Sequence, residues 1–501
     1  MRKHVCLLLI ACMLFLACGC SASTTNQINN SSKTDGPGIS DSNEVTSPVP
    51  SETTIYYEPD RLPEGLDFGG ERFTVLTVGD PRFKYEILTD ELNSEPVNDS
   101  VFNREKYVED RLNLDISQVK IGYHTYNEEV AKQHASGDNT YQLLAASTVW
   151  FSQCIFDSYL QDLYDIDYID FSMPWWSQLF NSEAEIGGHL FLTTGSLALS
   201  TMRFIYAVYY NKKLASDYSQ TYPELDDIYG IVDSGNWTYD KLKSLSESIY
   251  VDLNGNSEKD EEDLYGLAIV SGEGVDAVWS SFDLSMLGKD DDGWLAPDVN
   301  KEKIFKVVDM LQDLYHNTEG TLVRGSFDIA ESTFASGLAV FSEGKLMSAE
   351  TPAFRNMQEE YGLIPYPKYD ENQKEYYSAA HDNYVSFCVP QTNPSPDTAG
   401  AVLEAMASYA YRETVPQYLD ITLKGKYMSD AKSRKMVDLI VKGFRMDAGW
   451  IYSRSIGGFG PTFRETVDTN SQSYGSDYTV SLRLMTVATK SIKDKYSIIW
   501  D

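Results

Sequence analysis

Basic residues are scarce in this chain, which holds 41 Lys and Arg against 75 Asp and Glu and has a formal net charge of −34 at pH 7. Such acidity argues against binding to nucleic acid or to anionic lipid headgroups, because both repel a negative surface. Cysteine is scarce too: only Cys154 and Cys388 lie beyond the first twenty residues. The body is therefore not a disulfide scaffold. The apolar run 385–389 predicts a buried strand thiol at Cys388, with a Cys154–Cys388 bridge as the alternative.

Short catalytic motifs are absent from the sequence. It has no G-x-S-x-G elbow, no phosphate-binding loop, no G-x-G-x-x-G after a strand, no H-E-x-x-H and no C-x-x-C. None of its six histidines has a second histidine three or four positions away. We therefore predict no catalytic residues and a protein that is not an enzyme. A glycosidase remains the alternative, because its two carboxylates can come from any part of the chain.

The N-terminus has the features of a secretory leader. Arg2 and Lys3 precede an apolar run over 5–17, which would span only about 20 Å as a helix, too short for a membrane core of roughly 30 Å. Small residues and cysteines follow, and they resemble a lipobox in which either Cys18 or Cys20 would carry lipid. An ordinary leader with incidental cysteines is the alternative. Residues 1–20 are thus predicted to be a lipoprotein signal peptide with its lipobox, and lipid on the cysteine would hold the protein on the outer face of the cell membrane.

Residues 21–66 are rich in Ser, Thr, Asn, Gly and Pro and have almost no periodic apolar positions. Such a segment cannot bury enough surface to offset its ordering entropy, so we predict a disordered tether. The body from 67 to 501 is too long for one core and suits two lobes. Strand-like segments alternate with amphipathic helical ones, which predicts α/β lobes with largely parallel sheets. The predicted strands are 73–77, 142–146, 190–192 and 205–210, and the predicted helices are 99–112, 239–249 with Thr238 as N-cap, and 301–315.

Residues 252–263 have the oxygen-donor spacing of a twelve-residue calcium loop. Ser257 replaces the usual glycine, Lys259 stands where an apolar residue is expected, and Asp263 is shorter than the usual glutamate. A structural Ca²⁺ site and a solvated acidic turn are therefore equally weighted predictions. The metal ligands would be Asp252, Asn254, Asn256, Glu258, Asp260 and Asp263.

Aromatic residues suggest a carbohydrate ligand. The chain has 34 Tyr and 21 Phe, and Trp175 and Trp176 are adjacent after Pro174. Sugar rings present C–H faces that pack on aromatic rings, and their hydroxyls need polar partners. The polar cluster 381–384 precedes an apolar strand and is a second candidate, although each tryptophan could equally be a core residue and the cluster a hydrogen-bonded turn.

Six segments in a shared order resemble the family 1 extracellular solute-binding proteins of ABC importers, and in particular a clostridial branch of them. They are VNDSVFNR (97–104), DFSMPWW (170–176), VYYNKKL (208–214), NWT (236–238), DLYGL (263–267) and YGLIPYPK (361–368). The resemblance implies a two-lobe periplasmic-binding-protein-like α/β fold with an interlobe ligand cleft and multiple hinge crossings. Lobe 1 would comprise 67–190 and 327–390, and lobe 2 would comprise 191–326 and 391–501. The crossings would lie near 188–195, near 339–341 and beyond the strand that follows His381.

The resemblance also implies a function and a set of site residues. The protein would capture a small solute, a sugar or oligosaccharide, and deliver it to the transmembrane subunits of an ABC permease, acting as a monomer with no cofactor other than the Ca²⁺. The implied ligand-binding residues are Trp150, Trp175, Trp176, Trp279, His381, Asp382 and Tyr384. Two alternatives stay open, a surface enzyme that acts on glycans and a ligand-binding sensor on the same fold.

Overall fold

The computed structural model describes residues 59–427 and 430–500, with no side-chain description for 425–427. Its strands, in chain order, are β1 Glu71–Val78, β2 Leu114–Ile121, β3 Leu143–Ser147, β4 Tyr206–Asn211, β5 Tyr250–Val251, β6 Leu264–Val270, β7 Leu287–Lys289, β8 Leu295–Pro297, β9 Thr321–Arg324, β10 Ala339–Lys345, β11 Tyr361–Ile364 and β12 Val385–Cys388. The signal peptide, Cys18, Cys20 and the predicted tether up to residue 58 lie outside these described residues.

Helices surround the sheets. They are α1 Pro96–Leu112, α2 Tyr126–Ser136, α3 Thr148–Phe156, α4 Gln178–Ala184, α5 Leu199–Arg203, α6 Lys212–Tyr218, α7 Ile228–Asp233, α8 Tyr239–Ser246, α9 Ala277–Ser281, α10 Lys301–Gln312, α11 Phe327–Ala335, α12 Pro352–Arg355, α13 Pro396–Tyr409, α14 Ala431–Lys442, α15 Ala448–Ile451, α16 Phe459–Asp468 and α17 Tyr474–Ile499. Within the described ranges, none of them is long and apolar enough to span a membrane.

Two mixed sheets form the two lobes. The first has the order β12-β3-β1-β2, with β1 parallel to β2 and β3 and with β12 antiparallel to β3. The second has the order β11-β4-β10-β6-β5, with β9 parallel to β6 and β4 antiparallel to both β10 and β11. The α/β prediction is confirmed, but the sheets are mixed because each lobe contains a strand that enters antiparallel from the other lobe.

The predicted division into lobes is wrong for two segments. Residues 327–390 were assigned to lobe 1, yet β10 and β11 both pair with β4 in the second sheet, and only β12 joins the first sheet. Residues 391–409 were assigned to lobe 2, yet α13 packs on α1 of the first lobe. Sheet pairing and apolar contacts set lobe membership, and neither is visible in the order of segments.

The chain crosses between the lobes in places that differ partly from prediction. It leaves the first lobe after α4 and enters the second at β4, in agreement with the predicted crossing near 188–195. It returns over 378–384, between β11 and β12, and not near 339–341, which lies inside the second sheet. A further crossing follows β12, as predicted, since α13 packs on α1 and α14 packs on β11.

Local sequence signals account for the boundaries of α1 and for the start of α8. Pro96 starts α1, and Asn113 ends it with a left-handed backbone at φ 50°. Thr238 caps α8 by accepting from the Lys241 amide at 3.3 Å, as predicted. The predicted strand at 190–192 is not one; only Thr193, next along the chain, pairs with Phe387, through an isolated bridge. The body also begins before residue 67, because Leu62 is buried and Asp60 pairs with Arg111 at 2.6 Å.

Candidate functional site

A cavity of about 620 Å³ lies between the lobes and is named here the cleft cavity. Arg82 reaches it from the loop after β1, while Glu273, Phe327 and Lys345 reach it from the ends of β6, β9 and β10. Ligands of open α/β sheets bind beyond the carboxyl ends of parallel strands, where such loops converge. The fold therefore brings strand ends of the second lobe and Arg82 of the first lobe onto one cavity, which makes it the candidate site.

Charged groups of both signs line the cleft cavity. Arg82 pairs with its neighbour Asp80 at 2.7 Å, and this hydrogen bond is the main cause of its raised pKa. The charges of Tyr123 of the first lobe and Glu273 of the second raise the Arg82 pKa further. Lys345 Nζ lies 3.8 Å from the centroid of the Phe327 ring, within cation–π range.

Glu273 is held by one hydrogen bond to its side chain and one to its backbone. Its Oε2 accepts from His381 Nε2 at 2.5 Å, and its backbone carbonyl accepts from the Tyr206 hydroxyl at 2.7 Å. The His381 hydrogen bond lowers the Glu273 pKa to about 2, against the opposing effect of burial. Half of this side chain is exposed, so an ionised carboxylate faces the cavity at neutral pH.

Burial shifts the pKa of two other charged groups of the cavity. It raises the pKa of Glu331 to about 7, opposed by a hydrogen bond from Ser348. It also lowers the pKa of Lys345, which Glu273 and Glu331 oppose. The charged side chains that line the cavity include both hydrogen-bond donors and acceptors. They can therefore pair with hydroxyl groups, each of which both donates and accepts.

An aromatic cluster lies next to the crossing segment 378–384, because the Tyr123 hydroxyl donates to Asn383 Oδ1. Trp150, in the first turn of α3, meets Tyr123 edge-on with ring centroids 5.1 Å apart and His124 at 6.2 Å. The guanidinium carbon of Arg454 lies 3.7 Å from the Trp150 centroid. Trp150 is half-buried, so of the predicted tryptophans it is the one with exposed surface available to a solute.

The other predicted tryptophans are core residues in this conformation, and the prediction that they contact a solute is corrected. Trp175 and Trp279 have no exposed surface, and Trp176 is 2% exposed. The Trp176 indole donates to Glu404 at 3.0 Å, and the Trp279 indole donates to Asp447 at 3.3 Å. Gly195 packs against this turn so closely that a Cβ would lie 2.1 Å from the Trp175 carbonyl oxygen.

The predicted cluster 381–384 does lie at the cleft. His381 is only 2% exposed, so it holds Glu273 and offers no surface to a solute. Tyr384 is 4% exposed and donates to Met446 Sδ at 2.7 Å. Asp382 is half-buried and lines a small hollow together with Tyr384 and Trp450.

The sequence pattern did not predict five residues at the cleft, namely Arg82, Glu273, Phe327, Lys345 and Trp450. The first four follow or end parallel strands, and the Ser271–Gly272–Glu273–Gly274 turn directly after β6 was an available signal. Glycine-rich turns at strand ends commonly approach ligands closely. Trp450 had no local signal, because only the packing of α15 near the crossing brings it to the cleft.

The predicted calcium loop is an exposed turn between β5 and β6. Its Asp252 carboxylate accepts from the Gly255 and Ser257 amides at 2.6 and 2.9 Å, and Asp260 accepts from the Asn254 and Asn256 side chains at 3.0 and 2.7 Å. Asp263 is buried and accepts from the Leu253 amide at 3.1 Å. Over the described ranges no group of three His, Cys, Asp or Glu side chains is placed to hold a metal ion. Calcium binding remains a prediction.

The two cysteines of the body are both free and both buried. Cys388 lies in β12 with no exposed surface, as its apolar run predicts. Cys154 lies in α3, and burial raises its pKa to about 12. Both are therefore unreactive core thiols in this structure, and the alternative of a bridge is not realised.

Comparison with known proteins shows similarity only at the level of structure. No family model matches the sequence, and neither does any curated protein. A cyclo/maltodextrin-binding protein in complex with maltotetraose superposes with a TM-score of 0.54 at 13% identity, over 85% of this chain and 98% of that one.

Two further solved structures are similar. Maltose-bound MalE3 of T. maritima gives a TM-score of 0.50 at 13% identity, over 83% of this chain and 99% of that one. The GacH receptor of Streptomyces glaucescens, solved unliganded and with acarbose, gives 0.50 at 11% identity, over 85% and 98%. At such low identity these similarities establish the fold, which is the two-lobe periplasmic-binding-protein-like fold.

Proposed function

We propose that this protein is an extracellular solute-binding protein that captures a sugar or oligosaccharide and delivers it to an ABC-type import permease. The observation that carries the proposal is the cleft cavity, in which Arg82 of one lobe faces Glu273, Phe327 and Lys345 of the other. A solute that contacts both walls binds the closed arrangement better than the open one, and so shifts the population toward closure.

The chemistry of the walls favours a carbohydrate within this class. The Glu273 carboxylate can accept from ring hydroxyls, while Arg82 and Lys345 can donate to them. Phe327 in the cavity and Trp150 in the aromatic cluster are rings on which a sugar could pack by displacing the cation, Lys345 or Arg454, that now lies over each of them. The structurally similar proteins were solved with maltotetraose, maltose and acarbose, which supports the same ligand class here.

The remaining parts of the proposal concern how the protein is held and where it acts. We propose a lipid on Cys18 or Cys20, the outer face of the cell membrane as its location, and permease transmembrane subunits as its partner. An acidic body would gain little from anionic headgroups, so the acyl chains would supply the attachment. Mass spectrometry of the mature N-terminus, with a Cys18→Ala and Cys20→Ala pair, identifies the acylated cysteine.

A thermal-shift screen of mono- and oligosaccharides tests the ligand class. A ligand that binds only the native state raises the unfolding midpoint by mass action. At a free ligand concentration about one hundred times Kd, the gain in unfolding free energy is about 2.7 kcal/mol. We expect at least one carbohydrate to raise the midpoint of the wild type and a much smaller shift in Glu273→Gln. The matched control Glu185→Gln changes a carboxylate outside the cavity and should behave as the wild type. No shift with any carbohydrate would contradict the proposal.

The same mixtures distinguish capture from catalysis. A binding protein returns its sugar unchanged, whereas a glycosidase generates new reducing ends. We expect no increase in reducing ends after prolonged incubation of the protein with any oligosaccharide that raises the midpoint. An increase that disappears in Glu273→Gln would favour the enzyme instead.

A further inference from the structure

We propose that His381 and Asn383 are positioning residues, which hold the Glu273 carboxylate of one lobe and the Tyr123 phenol of the other from a single crossing segment. This inference rests on the proposed function, because it assigns roles within the same cleft. Neither residue is expected to be a main solute contact. Their role is to fix the two walls against which the solute binds.

The crossing segment 378–384 is anchored at both ends. The His381 amide donates to the Phe204 carbonyl at 3.0 Å on the side of the second lobe. The Thr148 amide donates to the Tyr384 carbonyl at 2.9 Å on the side of the first lobe. Residues 381–383 therefore have a defined backbone path between the lobes.

His381 holds one wall. Its Nδ1 accepts from the Asn383 amide at 3.2 Å, which places the imidazole proton on Nε2. Nε2 donates to Glu273 Oε2 at 2.5 Å. The ring is 2% exposed and packs near Phe204 and Tyr206, with centroids 6.2 and 6.4 Å away, so it has little freedom to turn. A buried, fixed donor of this kind sets the direction of the carboxylate that lines the cavity.

Asn383 holds Tyr123 and Ser147 of the first lobe. Its Oδ1 accepts from the Tyr123 hydroxyl and from Ser147 Oγ, the latter at 2.9 Å. Tyr123 follows β2 and Ser147 ends β3, so this one amide ties together two loop ends of the first lobe. Tyr123 in turn contacts Trp150 edge-on. Asn383 thereby sets the position of the aromatic cluster.

The two residues are separated by one position and are linked by the Asn383 amide that donates to His381 Nδ1. A shift of the crossing segment would consequently move the Glu273 carboxylate and the aromatic cluster together. Precise placement of binding groups by supporting hydrogen bonds is a general requirement of preorganised sites. The segment that connects the lobes is thus also the one that aligns their binding surfaces.

The first experiment measures maltotetraose affinity by calorimetry in wild type, His381→Leu and His381→Gln. Loss of a hydrogen bond to a charged group should weaken binding about tenfold in His381→Leu. Glutamine keeps an N–H donor near the position of Nε2 and should restore affinity to within about threefold. Because His381 acts through Glu273, the double variant Glu273→Gln/His381→Leu should bind no more weakly than Glu273→Gln. Wild-type affinity in folded His381→Leu, or losses that multiply in the double variant, would overturn the proposal.

The second experiment needs no ligand. Hydrogen exchange should rise at 271–276 in His381→Leu and at 122–126 in Asn383→Leu, with little change in His381→Gln. The control is His189→Leu, which removes another histidine–carboxylate contact, His189 to Asp162 at 2.7 Å, away from the cavity. If maltotetraose fails to bind the wild type, this loop-specific pattern still supports the positioning role while the carbohydrate proposal fails for that sugar. Unchanged exchange at both loops would reject the positioning role.

Discussion

Substitution of Trp175 and of Trp150 should affect different properties of this protein, stability in the first case and carbohydrate binding in the second. Trp175 is fully buried, so Trp175→Ala should cost about 3–5 kcal/mol of unfolding free energy through the cavity it leaves. Trp150 is half-buried and contacts Tyr123, which Asn383 of the crossing segment holds, so Trp150→Ala should cost much less stability and weaken carbohydrate binding instead. Urea unfolding together with calorimetric titration of a stabilising sugar measures both quantities. Equal losses of stability in the two variants would contradict this division.

Residue types in the sequence did not predict which side chains line the cavity. Adjacent tryptophans after a proline suggest an exposed turn in a sequence. In the structure this turn is buried, and the Trp176 indole donates a hydrogen bond to Glu404. His381 was placed at the cleft from its position before an apolar strand, but its burial against Phe204 and its bond to Glu273 are tertiary facts. The side chains that line the cavity were missed because strand ends converge only once the sheet pairing is known.

Elements with strong local signals were predictable. Strand β1 is β-rich, α8 has a threonine cap, and α1 has a continuous helical pattern, and all three formed where expected. The segment 190–192 has the composition of a strand but has no neighbouring strand to pair with along its length. Sheet membership of β10 and β11 was not predictable, because it depends on pairing with β4 from a distant part of the chain.

At the scale of one element, calcium binding by the loop between β5 and β6 is testable. If its inward oxygen atoms hold Ca²⁺, calcium in excess should raise the thermal midpoint relative to EDTA, because a cation bound only by the native state stabilises it. The Asp260→Asn variant removes one anionic ligand and should lose most of that increase. The control Asp240→Asn, on α8 outside the loop, should keep it. Identical midpoints in calcium and EDTA would leave an acidic turn without a metal.

At the scale of the whole molecule, buried carboxyl groups make the free energy of unfolding depend on pH. Burial raises the pKa of Glu86 and Glu404 to about 7 and that of Glu343 to about 8, all above the ordinary value of 4.5. The folded state therefore binds more protons than the unfolded state between these values, and its stability should increase as the pH falls from 8 toward 5. Below about 4.5 the direction reverses for Glu273, whose lowered pKa makes its contribution disappear on further acidification.

Urea midpoints at pH 8 and pH 5.5 test this dependence. We expect a gain of at least about 1 kcal/mol at the lower pH, and a smaller gain in Glu343→Gln, which removes one of the buried titrating groups. Glu302→Gln is the control on the surface of α10 and should keep the full gain. Stability that falls over this range would mean that these carboxyl groups are ionised and paired in the folded state.

Native mass spectrometry of the protein with a mixture of oligosaccharides tests the central claim most directly, because it weighs the bound molecule. A cleft that closes on a sugar without chemistry should give a one-to-one complex whose added mass equals that of an intact member of the mixture. A spectrum with no bound sugar, or with the mass of a cleaved fragment absent from the mixture, would contradict the account.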